Sequence, residues 1–215
     1  MSFFADLVNQ PLVLLASLLA FFIALSVHEF SHALAAYALG DLTAKRLGRL
    51  TLNPVVHIDP WGLLMLLFVG FGWGKPVPYN PYNLKWPRWG PVVVACAGPF
   101  SNLVLTGLSI VSILIFAPHL GFDNLFIIFL FKCLQLNMVL MLFNLIPLPP
   151  LDGSNMVLAV FAHPRYARMR QFIQTSGPML LLALVMLDSF TNIGVFSALF
   201  QAPMRFVTDL LFSHL

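Results

Sequence analysis

Charge is scarce in this sequence. Of its 215 residues only 9% are Asp, Glu, Lys or Arg, whereas 60% are hydrophobic. A soluble domain carries about 25% charged residues, so this composition excludes an ordinary soluble fold and indicates an integral protein of the lipid bilayer. The net charge of +3 reflects eleven Lys and Arg residues that are scattered among apolar runs. Because they form no basic patch, we exclude nucleic acid as a partner.

Cysteine is scarce as well. Cys96 and Cys133 are the only two cysteines, and they fall in separate apolar runs without the spacing of a metal pair. We interpret them as small buried apolar residues. The sequence also lacks an internal repeat, a low-complexity stretch and a long flexible linker. It therefore predicts a single domain over residues 1–215, with a motif-bearing core at about 11–163 and a C-terminal helical hairpin at about 171–213.

Long apolar runs predict an all-α polytopic membrane protein with about five transmembrane helices. The five runs are residues 11–39, 91–117, 124–146, 176–187 and 192–211. The fourth is short, and we expect it to extend back toward Gln171. A further run, 61–73, is too short to span a bilayer and is broken by glycines, which favours a re-entrant or interfacial segment. Both flanks of that segment should then lie on one side.

Basic residues predict the orientation of these spans, because they mark the cytoplasmic side. Six lie between the first two spans and three lie between the third and fourth: Lys45, Arg46, Arg49, Lys75, Lys85 and Arg88, then Arg165, Arg168 and Arg170. We therefore expect the N-terminus outside the cell membrane and the C-terminus in the cytoplasm.

The only glutamate, Glu29, lies between two histidines in the first span, in the stretch SVHEFSHALA at 26–35. In a helix, His28 and His32 share one face about 6 Å apart along the axis, so both imidazoles can reach one ion. This HExxH pattern is typical of zinc hydrolases, in which the glutamate takes a proton from water. The alternative is a polar helix face satisfied by neighbouring spans. Ionisable groups at membrane depth are costly, however, and usually mark function.

A catalytic zinc site needs a third protein ligand. The extended metzincin pattern cannot supply it, because Ala35 and Ala38 stand where glycine and histidine are required. Three aspartates are poorly placed, because the predicted orientation puts them toward the outside: Asp6, Asp123 and Asp188.

Asp152 is better placed, since it follows a proline-rich stretch, FNLIPLPPLDG at 143–153, near the cytoplasmic end of the third span. Prolines cannot continue a helix, so the chain is expected to unwind there. Gly153 would permit a tight approach before a short helix begins. Unless the stretch is a simple proline-rich loop, these features predict a His, His, Asp site with the active site toward the cytoplasmic side.

Three further polar residues are candidates for contacts at this site. Asn102 follows Gly98 and Pro99, which we expect to loosen the second span, and Asn144 lies near the unwinding point. Either amide could bind a substrate carbonyl or oxyanion, or could hold helices together. His57 could face the site from the re-entrant segment or could be held in a loop near the interface.

Together these motifs resemble the intramembrane site-2 proteases: HEFSH in a span, NPVVHIDPWG after it, AGPFSN, and NLIPLPPLDG. The resemblance covers 28 to about 155 and is to a short form without a PDZ or nucleotide-sensing domain. It implies one Zn²⁺ per chain held by His28, His32 and Asp152, with Glu29 as the base. It also implies that Asn102 and Asn144 contact the substrate.

The substrates implied by this resemblance are membrane proteins, cut within or next to a transmembrane segment. Two other functions stay open on the sequence alone: a divalent-metal transporter and a non-catalytic membrane metal-binding protein. The sequence predicts no oligomeric state.

Overall fold

The computed structural model describes residues 10–69, 72–191 and 194–213, which contain eight α-helices. The helices are α1 (Pro11–Ala38), α2 (Thr43–Arg46), α3 (Pro60–Val69), α4 (Gly90–Leu120), α5 (Leu125–Asn144), α6 (Gly153–Val160), α7 (Ala167–Thr191) and α8 (Val195–Ser213). Short 3₁₀ turns at Pro54–Val56, Pro81–Asn83 and Pro164–Tyr166 complete the secondary structure. The predicted all-α class is confirmed.

Among the described residues, four segments are long and apolar enough to cross a membrane: Pro11–Ala38, Gly90–Leu120, Leu125–Asn144 and Pro164–Asp188. They correspond to the first four predicted spans, and the fourth extends back beyond Gln171 as expected. The fifth predicted span forms α8 but is not one of the four. Its start, Asn192, lies outside the described residues.

The centre of the molecule is a bundle of α1, α4 and α5, each of which packs against the other two. Small side chains line α1 where it meets its neighbours, since Ala20, Ala24, Ala33 and Ala36 are fully buried. Small residues allow membrane helices to approach closely and to gain van der Waals contact. Many large apolar side chains instead point outward, as a lipid environment requires; they include Leu12, Leu19, Phe100, Leu103 and Leu108.

The segment predicted to be re-entrant forms the ten-residue helix α3, which is too short to span a bilayer. An antiparallel bridge pairs Ile58 with Gly74 across this helix. Beside it, the Lys75 backbone N–H donates to the His57 carbonyl at 2.8 Å. The chain therefore enters and leaves this segment at one place, which agrees with the predicted placement of both flanks on one side.

The two loops predicted to be cytoplasmic lie at the same end of the bundle. Arg88, just before α4, donates from Nε to the carbonyl of Ala159 in α6 at 3.0 Å. The Lys85 backbone N–H donates to the Leu39 carbonyl at the end of α1, at 2.8 Å. The Arg88 bond connects the segment between α1 and α4 to the segment between α5 and α7, and the Lys85 bond connects the first of these segments to the end of α1.

The opposite end of the bundle is apolar. Its buried cluster, called here the apolar cluster, contains Ile113, Ala117, Ile127, Leu130, Leu134, Met138 and Leu211. Met204 and Val207 of α8 pack against the same cluster. The last helix therefore contributes to the bundle through α5.

Candidate metal centre

The proline-rich stretch unwinds as predicted. Helix α5 ends at Asn144 and α6 begins at Gly153, with only turns and bends between them. A Cβ at residue 153 would collide with the backbone carbonyls of Leu145 and Ile146, so glycine is needed for the chain to fold back on itself there. Asp152 precedes α6 but makes no side-chain capping bond. Its carboxylate is therefore free to turn toward α1.

The carboxylate of Asp152 meets both histidines of α1. Its Oδ2 lies 3.3 Å from His28 Nε2 and 3.3 Å from His32 Nε2. The two Nε2 atoms are 3.0 Å apart. His28 and His32 are buried, whereas the Asp152 side chain is 20% exposed, so the centre is reached from the Asp152 side.

Hydrogen bonds fix both imidazole rings. His28 Nδ1 lies 2.5 Å from Asn102 Oδ1, and His32 Nδ1 lies 2.7 Å from the Val94 carbonyl oxygen. Both oxygens can only accept a hydrogen bond, so each Nδ1 carries the proton. Each Nε2 then carries a lone pair directed at the other ring and at Asp152. This is the arrangement that orients metal-binding histidines in proteins.

Three atoms with lone pairs, His28 Nε2, His32 Nε2 and Asp152 Oδ2, face one another with no hydrogen-bond donor between them. A cation at their centre would stabilise this arrangement. Asp152 Oδ2 is buried and has no hydrogen-bond partner. At Zn–N and Zn–O distances of about 2.0 Å, the corners of a tetrahedron lie about 3.3 Å apart. The observed separations of 3.0–3.3 Å match three such corners and leave the fourth open. Among the described residues, His28, His32 and Asp152 form the one group of this kind, and it fits zinc.

Glu29 lies beside this group, not within it. It is 8% exposed, and its Oε2 accepts a hydrogen bond from the Val77 backbone N–H at 3.1 Å. The Arg49 guanidinium donates to the nearby Lys75 carbonyl and is close enough to interact electrostatically with Glu29. The segment that returns from α3 therefore holds the glutamate carboxylate in place next to the candidate ligands.

Gly98 allows α4 to approach the two imidazoles. A Cβ at this position would collide with the rings of His32 and His28. Gly98 and Pro99, which we expected to loosen the second span, do not interrupt α4, which continues through both residues. The glycine serves close approach of the helices instead.

The structure does not support a substrate contact for Asn102. This side chain is fully buried, its Oδ1 faces His28, and its Nδ2 donates to Asn137 Oδ1 at 2.7 Å and more weakly to the Ala24 carbonyl at 3.4 Å. No polar atom of the side chain is left for a substrate. Asn102 instead holds a candidate metal ligand.

Asn144 and His57 lie elsewhere than in the three-atom group. Asn144 is partly buried at the end of α5, and its Nδ2 donates to the Leu140 carbonyl at 3.0 Å, so its role toward substrate stays a prediction. His57 is fully buried in the loop before α3, with Nε2 2.8 Å from the Thr51 carbonyl oxygen. This agrees with the interpretation of His57 as a residue held in its loop.

Sequence reasoning missed three groups that shape the centre: the Asn137 side chain, the Val94 carbonyl and the Arg49 guanidinium. Asn137 could have been recognised from the sequence, because an amide inside an apolar span is costly to bury unless it has a hydrogen-bond partner. Arg49 was counted only as a mark of orientation. The Val94 carbonyl could not have been recognised from the sequence, since any backbone carbonyl can accept the hydrogen bond from His32.

Comparisons with known proteins show what this chain is similar to. A model of peptidase family M50 matches residues 119–184. "Putative zinc metalloprotease YwhC" of Bacillus subtilis (strain 168) is 36% identical over 200 residues, which cover 83% of this chain and 90% of that protein. No solved structure matches the chain.

More distant relatives carry the name "Putative zinc metalloprotease Rip2". The one from Mycolicibacterium smegmatis is 32% identical over 138 residues, and the one from Mycobacterium tuberculosis (strain H37Rv) is 33% identical over 142 residues. These matches cover 60% and 61% of this chain, and 51% of each relative. The matched part of the chain thus spans about half the length of the Rip2 proteins.

Proposed function

Since this chain belongs to peptidase family M50, the site-2 proteases, and is an intramembrane zinc metalloprotease, we propose that His28, His32 and Asp152 hold its zinc ion and that Glu29 is its catalytic base. The reaction is hydrolysis of a peptide bond within or next to a transmembrane segment of a substrate protein. Family membership does not favour the alternatives of a metal transporter or a non-catalytic metal-binding protein.

One observation carries the assignment of the ligands. Both Nδ1 atoms donate to fixed acceptors, so two Nε2 lone pairs and one unpartnered carboxylate oxygen converge within 3.0–3.3 Å. Without a cation between them, these atoms would be desolvated and would repel one another. The arrangement therefore supports a bound metal in the working protein.

The residues around the ligands account for the chemistry. When bound, zinc supplies a Lewis acid that makes a water molecule more acidic and polarises a carbonyl. Glu29 is held by the Val77 N–H through one carboxylate oxygen. Its carboxylate accepts the proton of the attacking water and returns it to the leaving amine.

The depth of the centre supports a substrate that is itself in the membrane. His28 is ten residues from the end of α1 at Ala38, which places it about 15 Å along the helix from that end. A bilayer core is about 30 Å thick, so the candidate ligands lie well inside it. A helical substrate hides its carbonyls in backbone hydrogen bonds and must unwind locally before attack, so residues that weaken a helix favour cleavage.

The same geometry supports an active site that opens to the cytoplasm. The two basic loops lie at one end of the bundle. Asp152, whose side chain is partly exposed, follows the end of α5 and lies at this same end. Because basic loops stay in the cytoplasm, the N-terminus lies outside the cell membrane. The C-terminus then lies inside when α8 crosses as the fifth span that the sequence predicts. Water enters beside residues 148–152.

The experiment that tests this function replaces Glu29 by glutamine. Glu29→Gln keeps the shape of the side chain and an oxygen that can accept from Val77. We expect zinc binding to persist and cleavage of a reporter with a transmembrane segment to fall by about 10³-fold, the loss expected for a general base. The purified protein is assayed in detergent micelles for zinc stoichiometry and for reporter cleavage.

The matched control is Asp209→Asn, an equivalent acid-to-amide change at an exposed site on α8. It should leave both zinc binding and cleavage unchanged. Undiminished cleavage by Glu29→Gln would rule out Glu29 as the base, and a wild-type protein that binds zinc but cleaves no membrane reporter would contradict the proposed activity.

A further inference from the structure

A buried amide on α5 is connected to the candidate metal centre. Asn137 is 1% exposed. Its Nδ2 donates to the Cys133 carbonyl one turn earlier at 2.8 Å, and its Oδ1 accepts from Asn102 Nδ2 at 2.7 Å. Asn102 in turn meets His28 Nδ1 at 2.5 Å. A continuous chain of hydrogen bonds therefore runs from α5 through α4 to a ligand on α1.

This chain of hydrogen bonds has one allowed direction. The Cys133 carbonyl can only accept, so the NH₂ group of Asn137 must face it and the oxygen of Asn137 must face Asn102. Asn102 must then present its NH₂ group to Asn137 and its oxygen to His28. His28 must therefore carry its proton on Nδ1, which leaves Nε2 unprotonated.

The opposite direction would disable the ligand. If the Asn102 amide were turned over, its NH₂ group would face His28 Nδ1, and the histidine proton would move to Nε2. A protonated Nε2 cannot bind a metal ion. Helix pairing alone would not require this direction, because a hydrogen bond between α4 and α5 forms equally well either way.

We propose that Asn137 is a positioning residue of the metal centre, which sets the tautomer and orientation of His28 through Asn102. The inference rests on the proposed role of His28 as a zinc ligand. Asn137 touches neither zinc nor substrate. Its contribution is to leave Asn102 with a single orientation in the buried contact between α4 and α5.

The test measures how tightly zinc is held, not how fast substrate is cut. Asn137→Leu keeps a side chain of similar size but removes both hydrogen bonds. Loss of a group that orients a metal ligand typically lowers metal affinity by 10- to 100-fold. Because Asn137 acts on His28 only through Asn102, we expect a loss of about tenfold. Zinc retention is titrated in detergent micelles with a competing chelator, and thermal unfolding checks that the variant folds.

Two further variants separate positioning from packing. A buried Asp at position 137 is protonated, so Asn137→Asp can donate to the Cys133 carbonyl and accept from Asn102, and it should restore nearly wild-type retention. Gln135→Leu is the matched control, because it removes an exposed amide two residues away on the same helix. It should retain zinc like the wild type.

The inference is overturned if Asn137→Leu retains zinc as tightly as the wild type, if the Leu and Asp variants at residue 137 are equally weak, or if Gln135→Leu is as weak as Asn137→Leu. These results are independent of the proposed activity, because cleavage is measured separately. A wild-type protein that retains zinc but cuts no reporter would contradict the activity, while the order of zinc retention among the variants would still decide the role of Asn137.

Discussion

At one end of the α1, α4 and α5 bundle, polar side chains hydrogen-bond from helix to helix, whereas at the other end the same helices pack through apolar side chains. The polar end contains His28, Glu29, His32, Asn102, Asn137 and Asp152, with Asp41, Arg49 and His57 in the adjoining loop. The apolar cluster of Ile113, Ala117, Ile127, Leu130, Leu134, Met138 and Leu211 fills the other end and extends along α5 to the residues beside Asn137.

The difference between the two ends lies in what each can tolerate. Hydrogen bonds between buried groups depend on direction, and one missing partner leaves the other group unsatisfied at a cost of about 1–3 kcal/mol. Apolar packing depends on volume and shape, so it weakens gradually when a side chain is trimmed. We therefore expect substitutions at the polar end to affect zinc and cleavage, and substitutions at the apolar end to affect stability.

The largest effect is expected from Asp152→Asn. The change removes the negative charge that meets both Nε2 atoms, so zinc occupancy and reporter cleavage should both fall to background. The control is Asp123→Asn, the same change at an exposed residue near the apolar end, and it should leave both quantities unaltered. Full zinc occupancy in Asp152→Asn, measured by metal analysis of the purified protein, would exclude Asp152 as a ligand.

The next effect compares two glycines of α4 that differ only in their surroundings. Gly98→Ala places a methyl group against the imidazoles of His28 and His32, whereas Gly107→Ala places one in open space. We expect Gly98→Ala to lower cleavage and zinc affinity by about 10²-fold, within the range for displaced metal ligands. Gly107→Ala should retain activity and gain up to about 1 kcal/mol of stability. Equal activities would mean that the close approach at Gly98 is unimportant.

A smaller effect should follow from trimming the apolar end. Leu134 is 1% exposed in the apolar cluster, and Leu134→Ala would lose van der Waals contacts worth about 2 kcal/mol. Thermal unfolding in micelles should shift to lower temperature, while zinc affinity at a temperature where the variant is folded should equal that of the wild type. A loss of zinc affinity in the folded variant would show that the two ends are not independent.

The smallest effect concerns Asp41, which connects the end of α1 to the segment before α4. Its Oδ1 accepts from Thr43 Oγ1 at 2.6 Å and from Asn83 Nδ2 at 2.9 Å, and its Oδ2 accepts from the Asn80 N–H at 2.8 Å. Burial alone would raise the pKa of Asp41, but these hydrogen bonds outweigh burial and lower the pKa below its usual value. The ionised carboxylate therefore stabilises the folded state.

The pH dependence follows from the sign of this shift. Because the folded pKa lies below the unfolded value of about 3.9, the stabilisation is fully present above that pH and is lost as the pH falls through the folded pKa. Asp41→Asn should lower the free energy of unfolding at neutral pH by about 1–2 kcal/mol. Its stability should also fall less than that of the wild type in thermal unfolding below about pH 4. Parallel acid profiles for the two proteins would contradict this role of Asp41.

The candidate ligands could be predicted because each has a local signal in the sequence. His28 and His32 are one helical turn apart, and the prolines before Asp152 specify where α5 must end. The span of α7 was found for a similar reason, since its apolar character is local. Such features depend on residues close together in the chain, which a sequence shows directly.

What could not be predicted depends on which faces of separate helices meet. Asn102 looked equally suited to bind substrate or to join helices, and only its position between α1 and α5 shows that it faces His28. Asn137 is one polar residue in an apolar run, with nothing nearby in the chain to indicate its partner. The fifth predicted span forms α8, which carries Arg205 and Asp209 and is not among the four spans found by length and composition.

The distance along the chain between the candidate ligands constrains how the protein acquires its metal. His32 and Asp152 are separated by 152 − 32 = 120 residues, so a chain still being synthesised carries both histidines long before it carries the carboxylate. Until α5 has entered the bilayer and the prolines behind it have turned the chain back, the histidines lack their third partner. We therefore expect metal capture to be a late step of biogenesis, and hydrolytic capability to arise only in a molecule that has finished assembling its own membrane bundle.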